Sequence, residues 1–174
     1  VHLKDENYLL FEPVSDISNI LTDALTFNII TGIISMWQGE DATDSVGINN
    51  GTGTAVSYVS GLVGNCFDFT AGVTSNVNFG DKNDFSFGNG TTDSPFSVSY
   101  LIKWSTVADS WHIQKRGTSS TPWEWQCSYF SGAIRIQLRD ESAGSQIALS
   151  YTWTPSSATW YHLAFTYDGS SSVS

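Results

Sequence analysis

Residues 96–104 read Phe-Ser-Val-Ser-Tyr-Leu-Ile-Lys-Trp. Phe96, Val98, Tyr100, Ile102 and Trp104 fall on every second position. A period of two is the repeat of a strand with one buried face, because successive side chains point to opposite sides of a sheet. The pattern returns along the chain. Trp123–Tyr129 alternates, and Ala133–Arg139 sends Ile134, Ile136 and Leu138 inward and Arg135, Gln137 and Arg139 outward. Ala55–Val59, Cys66–Phe69, Ser75–Phe79, Trp111–Lys115, Ile147–Tyr151 and Trp160–Tyr167 read as further strands. Turn sequences separate them: Gly88-Asn89-Gly90, Gly117-Thr118-Ser119-Ser120, Ser131-Gly132 and Asp168-Gly169. Short strands divided by turns predict an antiparallel sandwich or barrel, not βαβ units.

Residues 1–34 read differently. Asp16–Phe27 places Ile17, Ile20, Leu21, Ala24 and Leu25 at helical spacing, with Asp16 or Ser18 as a cap. The segment 1–34 is therefore expected to be a short N-terminal arm or helix, or a first strand. A strand over Thr26–Met36 is the competing reading. Residues 35–174 are expected to form the main domain.

Composition narrows the function classes. Acids number 17 and Lys plus Arg 7, for a formal net charge of −10 at pH 7. Only Lys115 and Arg116 are adjacent basic residues. Nucleic-acid backbones and anionic membrane surfaces need concentrated positive charge, so both are disfavoured as partners. No run of about 18 apolar residues is available for a membrane span; Phe27–Met36 is broken by Asn28, Thr31, Gly32 and Ser35. Charged residues make up 14% of the chain and aromatics 14%, a balance typical of secreted or surface β proteins. Cys66 and Cys127 are read either as one disulfide or as two free core thiols. They show no zinc-type spacing with each other or with His2, His112 and His162.

Motifs of catalysis are missing from the sequence. On a strand, two carboxylates reach one site most simply at i and i+2, and no acid here has another acid at i+2. Apart from adjacent acids, which point to opposite faces of a strand, the nearest spacings are Asp41/Asp44 and Asp81/Asp84, both in turn-like sequence. Gly-x-Ser-x-Gly, His-Glu-x-x-His and phosphate-cradling glycine loops are absent too. The expectation is a non-enzymatic protein.

Several segments occur in an order seen elsewhere. Trp37-Gln-Gly-Glu-Asp41 precedes Asp44-Ser-Val-Gly47 and Asn49-Asn-Gly-Thr52. Gly61-Leu-Val-Gly64-Asn-Cys66-Phe-Asp-Phe69 and Val77-Asn-Phe-Gly80 follow, then the strand Pro95–Trp104 and Ile113-Gln-Lys-Arg-Gly117. Trp160-Tyr-His-Leu-Ala-Phe-Thr-Tyr-Asp-Gly169 is the most specific piece. Over residues 37–169 this series resembles the laminin-G-like, concanavalin A-like jelly-roll domain. The resemblance implies an all-β, antiparallel jelly-roll β-sandwich. It also implies further strands after the Asp168-Gly169 turn. The chain starts at Val1 rather than Met and stops at Ser174, so a piece of a larger protein, or a sheet completed by another segment or chain, is expected.

Two residue sets are candidates for binding. Trp111, Trp123, Trp125 and Tyr129 (with Phe130) exceed what a core already filled by Ile134, Ile136 and Leu138 would need; a flat aromatic platform stacks on sugars or anchors a protein. A Trp-rich core and an inter-strand aromatic ladder are the bland alternative. Asp41, Asp44, Asn49 and Asp168 carry loop oxygens, and the resemblance implies that such loops can hold a structural Ca²⁺ ion. Solvated turn residues are the simpler reading. Three functions stay open: a non-catalytic binding or adhesion module for a glycan or protein on an extracellular or particle surface; a structural or decoration subunit, as in a phage virion or tail fibre, docking other chains through residues 1–34; and a cryptic glycosidase or lyase. Fold alone does not choose between them.

Overall fold

The structure is a computed structural model that describes residues 9–13 (as backbone), 32–89, 91–116, 123–140 and 144–170. It is nearly all β, with antiparallel pairing throughout. The strands are β1 (Leu9–Pro13), β2 (Thr52–Thr54), β3 (Val56–Ser60), β4 (Asn65–Phe69), β5 (Asn76–Asn78), β6 (Phe96–Lys103), β7 (Ser110–Arg116), β8 (Trp123–Phe130), β9 (Ala133–Asp140), β10 (Ser145–Thr152) and β11 (Trp160–Tyr167). Every strand from β3 to β11 coincides with a segment read as a strand in the sequence. The proposed helix at Asp16–Phe27 lies outside the described residues. Of the alternative strand Thr26–Met36, the described part, 32–36, has no strand structure. Cys66 and Cys127 are not joined by a disulfide.

The chain divides into two compact units, one of Val1–Ser15 with Phe85–Ser174, the other of Asp16–Asp84. The first holds a three-stranded sheet in the order β1-β11-β6 and a four-stranded meander in the order β10-β9-β8-β7. Their inner faces pack on each other. Phe96, Phe165 and Tyr167 from the smaller sheet meet Trp125, Cys127 and Ile136 from the larger. Beside them Trp104 and Leu163 meet Tyr129 and Ile134. Phe87 stacks on Phe96 at 3.9 Å between ring centres, and Phe165 and Tyr167 meet Phe96 edge-on. Each such ring contributes roughly 1.5–3 kcal/mol by leaving water, so the aromatic excess is largely absorbed here.

The second unit pairs β2 with β5 and β3 with β4. Its buried side chains among the described residues are Ala42, Asp44 and Asn49, so a polar pair organises it. Trp37 donates its indole N–H to the Asn49 carbonyl at 3.0 Å and packs on Phe79 at 4.1 Å. Glu40 accepts the Asn65 backbone N–H at 2.9 Å and its side-chain amide at 2.8 Å. Gly39 sits beside that contact with φ +85, and a Cβ there would lie 2.8 Å from the Asn65 carbonyl oxygen and from Cys66 Cα. Only glycine suits both demands.

Candidate functional site

Strand parity decides which face of the four-stranded sheet each residue serves. In β8, Trp125, Cys127 and Tyr129 point into the sandwich, which leaves Gln126, Ser128 and Phe130 on the outer face. In β9 the register sets Arg135 beside Ser128 and Gln137 beside Gln126. In β7, Ile113 opposes Cys127 and points inward. Strict alternation would turn Trp111 inward as well. A β-bulge between Trp111 and Ile113 adds one residue, so that Trp111 opposes Ser128 on the outer face.

The result is a shallow groove of about 200 Å³, lined by Trp111, Gln126, Ser128, Phe130, Arg135 and Gln137. Trp111, Ser128, Arg135 and Ser150 form one cross-strand row, so a small serine lies between an indole and a guanidinium. Ser128 is 2% exposed and forms the floor, whereas Trp111 is 59% exposed and forms a wall. The Trp111 and Phe130 rings lie 6.3 Å apart, and the Arg135 guanidinium sits 5.7 Å from the Phe130 ring centre. Gln126 donates from Nε2 to Gln137 Oε1 at 2.6 Å. That bond leaves Gln126 Oε1 to accept and the Gln137 amide to donate. Arg135 Nε is buried and lacks a hydrogen-bond partner among the described residues. An indole face, amide donors and acceptors and a guanidinium can hold a polar ring-shaped ligand; the lining carries no carboxylate, imidazole or thiol to move a proton.

The four aromatic candidates are therefore separated. Trp111 lines the groove. Trp125 and Tyr129 are each 6% exposed and belong to the core, which corrects their reading as a platform. Trp125 donates its indole N–H to the Phe85 carbonyl at 2.8 Å, and Tyr129 donates its hydroxyl to the Trp153 carbonyl at 3.2 Å. Trp123 is half-buried, with the Arg139 guanidinium 5.3 Å from its ring centre, and does not line the groove. Gln126, Ser128, Arg135 and Gln137 escaped the sequence reading as ligand contacts. The outward parity of Arg135 and Gln137 was the available signal.

The loop oxygens also separate. Asp44 Oδ1 accepts backbone N–H groups from Met36 (3.0 Å), Val46 (3.1 Å) and Gly47 (2.9 Å), and Oδ2 accepts that of Asn49 (3.1 Å). Burial alone would push its carboxyl up, but the bonds from Gly47, Met36, Ser35 and Val46 hold it well below the usual carboxylate range. Asn49 is committed through Nδ2 to Ser35 Oγ and Asp84 Oδ2. N–H hydrogens thus occupy the directions from which a cation would approach, so Asp44 does not fit as a calcium ligand. Asp41 accepts the Thr43 N–H at 2.7 Å and Asp168 that of Ser170 at 2.8 Å, both in exposed turns. Among the described residues, no three His, Cys, Asp or Glu side chains are grouped to hold a metal.

Another polar cluster lies between the sheets of the first unit. Tyr100 Oη is 2.8 Å from His112 Nδ1, and His112 Nε2 is 3.2 Å from Ser110 Oγ. Ser110 Oγ also receives the Trp104 indole N–H at 3.2 Å and donates to the Ala108 carbonyl at 3.2 Å. One assignment satisfies every atom: the tyrosine donates to Nδ1 and the imidazole donates from Nε2. Burial pushes the His112 pKa down to about 4, so the ring is neutral at pH 7. Each group already has its partner, which marks the cluster as internal bracing.

No family model, curated protein or solved structure matches this chain.

Proposed function

We propose that the chain is a non-catalytic binding module whose ligand is a glycan held in the groove of the four-stranded sheet. The observation that carries this reading is Trp111, an indole turned outward by a bulge and standing over a small polar floor. Apolar sugar faces stack on such rings, and the Gln126–Gln137 pair offers hydroxyl-matching donors and acceptors. The lining suits binding more than hydrolysis, which needs two positioned carboxyls. An extracellular or particle surface is the setting in which such a module works, in keeping with the jelly-roll resemblance.

The test is a glycan array followed by calorimetry on hits with wild type and Trp111→Ala. Loss of the stacking face should weaken binding at least tenfold. Unchanged affinity in the variant, or no glycan bound at all, refutes the reading.

A second reading rests on β1. Leu9–Pro13 pairs with β11, from Leu9 opposite Phe165 to Pro13 opposite Tyr161. The same pairing made between two chains would join subunits of an assembly. Light scattering on the purified chain separates the two: a concentration-dependent oligomer that dissociates when residues 9–13 are removed supports assembly.

A further inference from the structure

We infer that the groove selects a glycan bearing a carboxylate, which Arg135 receives beside the ring stacked on Trp111; this rests on the glycan reading above. Arg135 is anomalous for its surroundings. Acids outnumber Lys and Arg by 17 to 7 in this chain, yet no carboxylate pairs with Arg135 among the described residues. Its strand neighbours in register are Ser128 and Ser150, both uncharged. Glu124 precedes Gln126 by two residues on β8, but its carboxylate is engaged by Ser86 Oγ at 3.0 Å and Lys115 Nζ at 3.9 Å. The guanidinium is held from one side by the Phe130 ring, and Nε is buried without a partner.

A buried donor without an acceptor is costly in a protein interior, and an ordered water, an ion or a bound group is what relieves such a side chain. Of these, a bound anionic acceptor is the one that also meets the guanidinium's unpaired charge. Arginine presents a planar fork that matches a carboxylate through two parallel bonds, which lysine cannot do. Position agrees. Trp111 on β7 and Arg135 on β9 lie two strands apart, a backbone separation of about 10 Å, with Ser128 as the low point between them. A pyranose stacked on the indole over Ser128 turns an exocyclic carboxylate toward Arg135. The Gln126–Gln137 pair in the next row is left to read ring hydroxyls.

The experiment is an array carrying galacturonate, glucuronate and sialyl oligosaccharides, each beside its methyl ester, together with sulfated neutral oligosaccharides. Hits are then titrated by calorimetry against wild type, Trp111→Ala, Arg135→Gln and Arg135→Lys, with thermal melts confirming that each variant is folded. The expected result is a preference of at least tenfold for the acid over its ester, weakening with added salt. Arg135→Gln should reduce that preference to within twofold, by weakening the acid more than the ester, and Arg135→Lys should retain part of it. Equal binding of acid and ester, with Trp111→Ala still abolishing both, overturns the carboxylate inference and leaves the glycan reading standing. A response confined to sulfated glycans also overturns it. No binding to any glycan, or binding indifferent to Trp111, overturns both.

Discussion

At Asp44 a single carboxylate gathers N–H groups from Met36, Val46, Gly47 and Asn49. Asparagine at this position would set an N–H₂ against donors and leave buried N–H groups unpaired. Asp44→Asn should destabilise the chain by about 2–3 kcal/mol, the scale of hydrogen bonds to a charged group, read as a lower urea midpoint. Because the folded carboxyl is held below its unfolded value, this stabilisation is complete above about pH 4 and is lost as pH falls further. His112 acts through the opposite kind of group in a higher window. Its unfolded ring takes a proton near pH 6.5, whereas the buried ring resists until about pH 4. The unfolded state therefore binds more protons between those values, and stability should fall by about 3 kcal/mol as pH drops through them. Urea melts at pH 7 and pH 4.5 measure this, and His112→Gln should flatten the difference. Neither role was legible in the sequence, where Asp44 read as a loop oxygen and His112 as an isolated histidine. Their meaning comes from neighbours brought in by folding.

Among the elements, β6 and β9 were legible because alternation is a local signal and both strands obey it strictly. β7 was legible as a strand but not in its facing. Its bulge adds one residue, and no composition rule announces where a ladder will slip. That slip is what separates Trp111 from Trp125 and Tyr129, so the candidate site was only partly readable: the residue that lines the groove stood among core residues of the same type. β2 was missed because Thr52–Thr54 is too short to show a period. The β8–β9 hairpin turns on Ser131 and Gly132, with φ of 51° and 74°. Two positive φ values mark a primed turn, for which Asn-Gly is the preferred pair. Ser131→Asn should thus raise the melting temperature slightly, with the groove unchanged.

For the whole molecule, the all-β class was legible because most long strands bury one face, although β10 stays largely exposed. The division into two units and the partner of β1 were not, since both depend on contacts between segments distant in sequence. That distance governs the order of events when the chain folds. β7 to β10 form a meander of consecutive hairpins, while the β1–β11 ladder joins Leu9 to Phe165. Local pairings close small loops and form early; a ladder between remote segments waits for the rest to collapse. Pulse-labelled hydrogen exchange during refolding should protect β8 and β9 amides before those of β1. The groove lies on the early sheet. A chain caught with its first strand still unpaired would already display the groove, and would meanwhile offer the open edge of β11 to any other strand nearby.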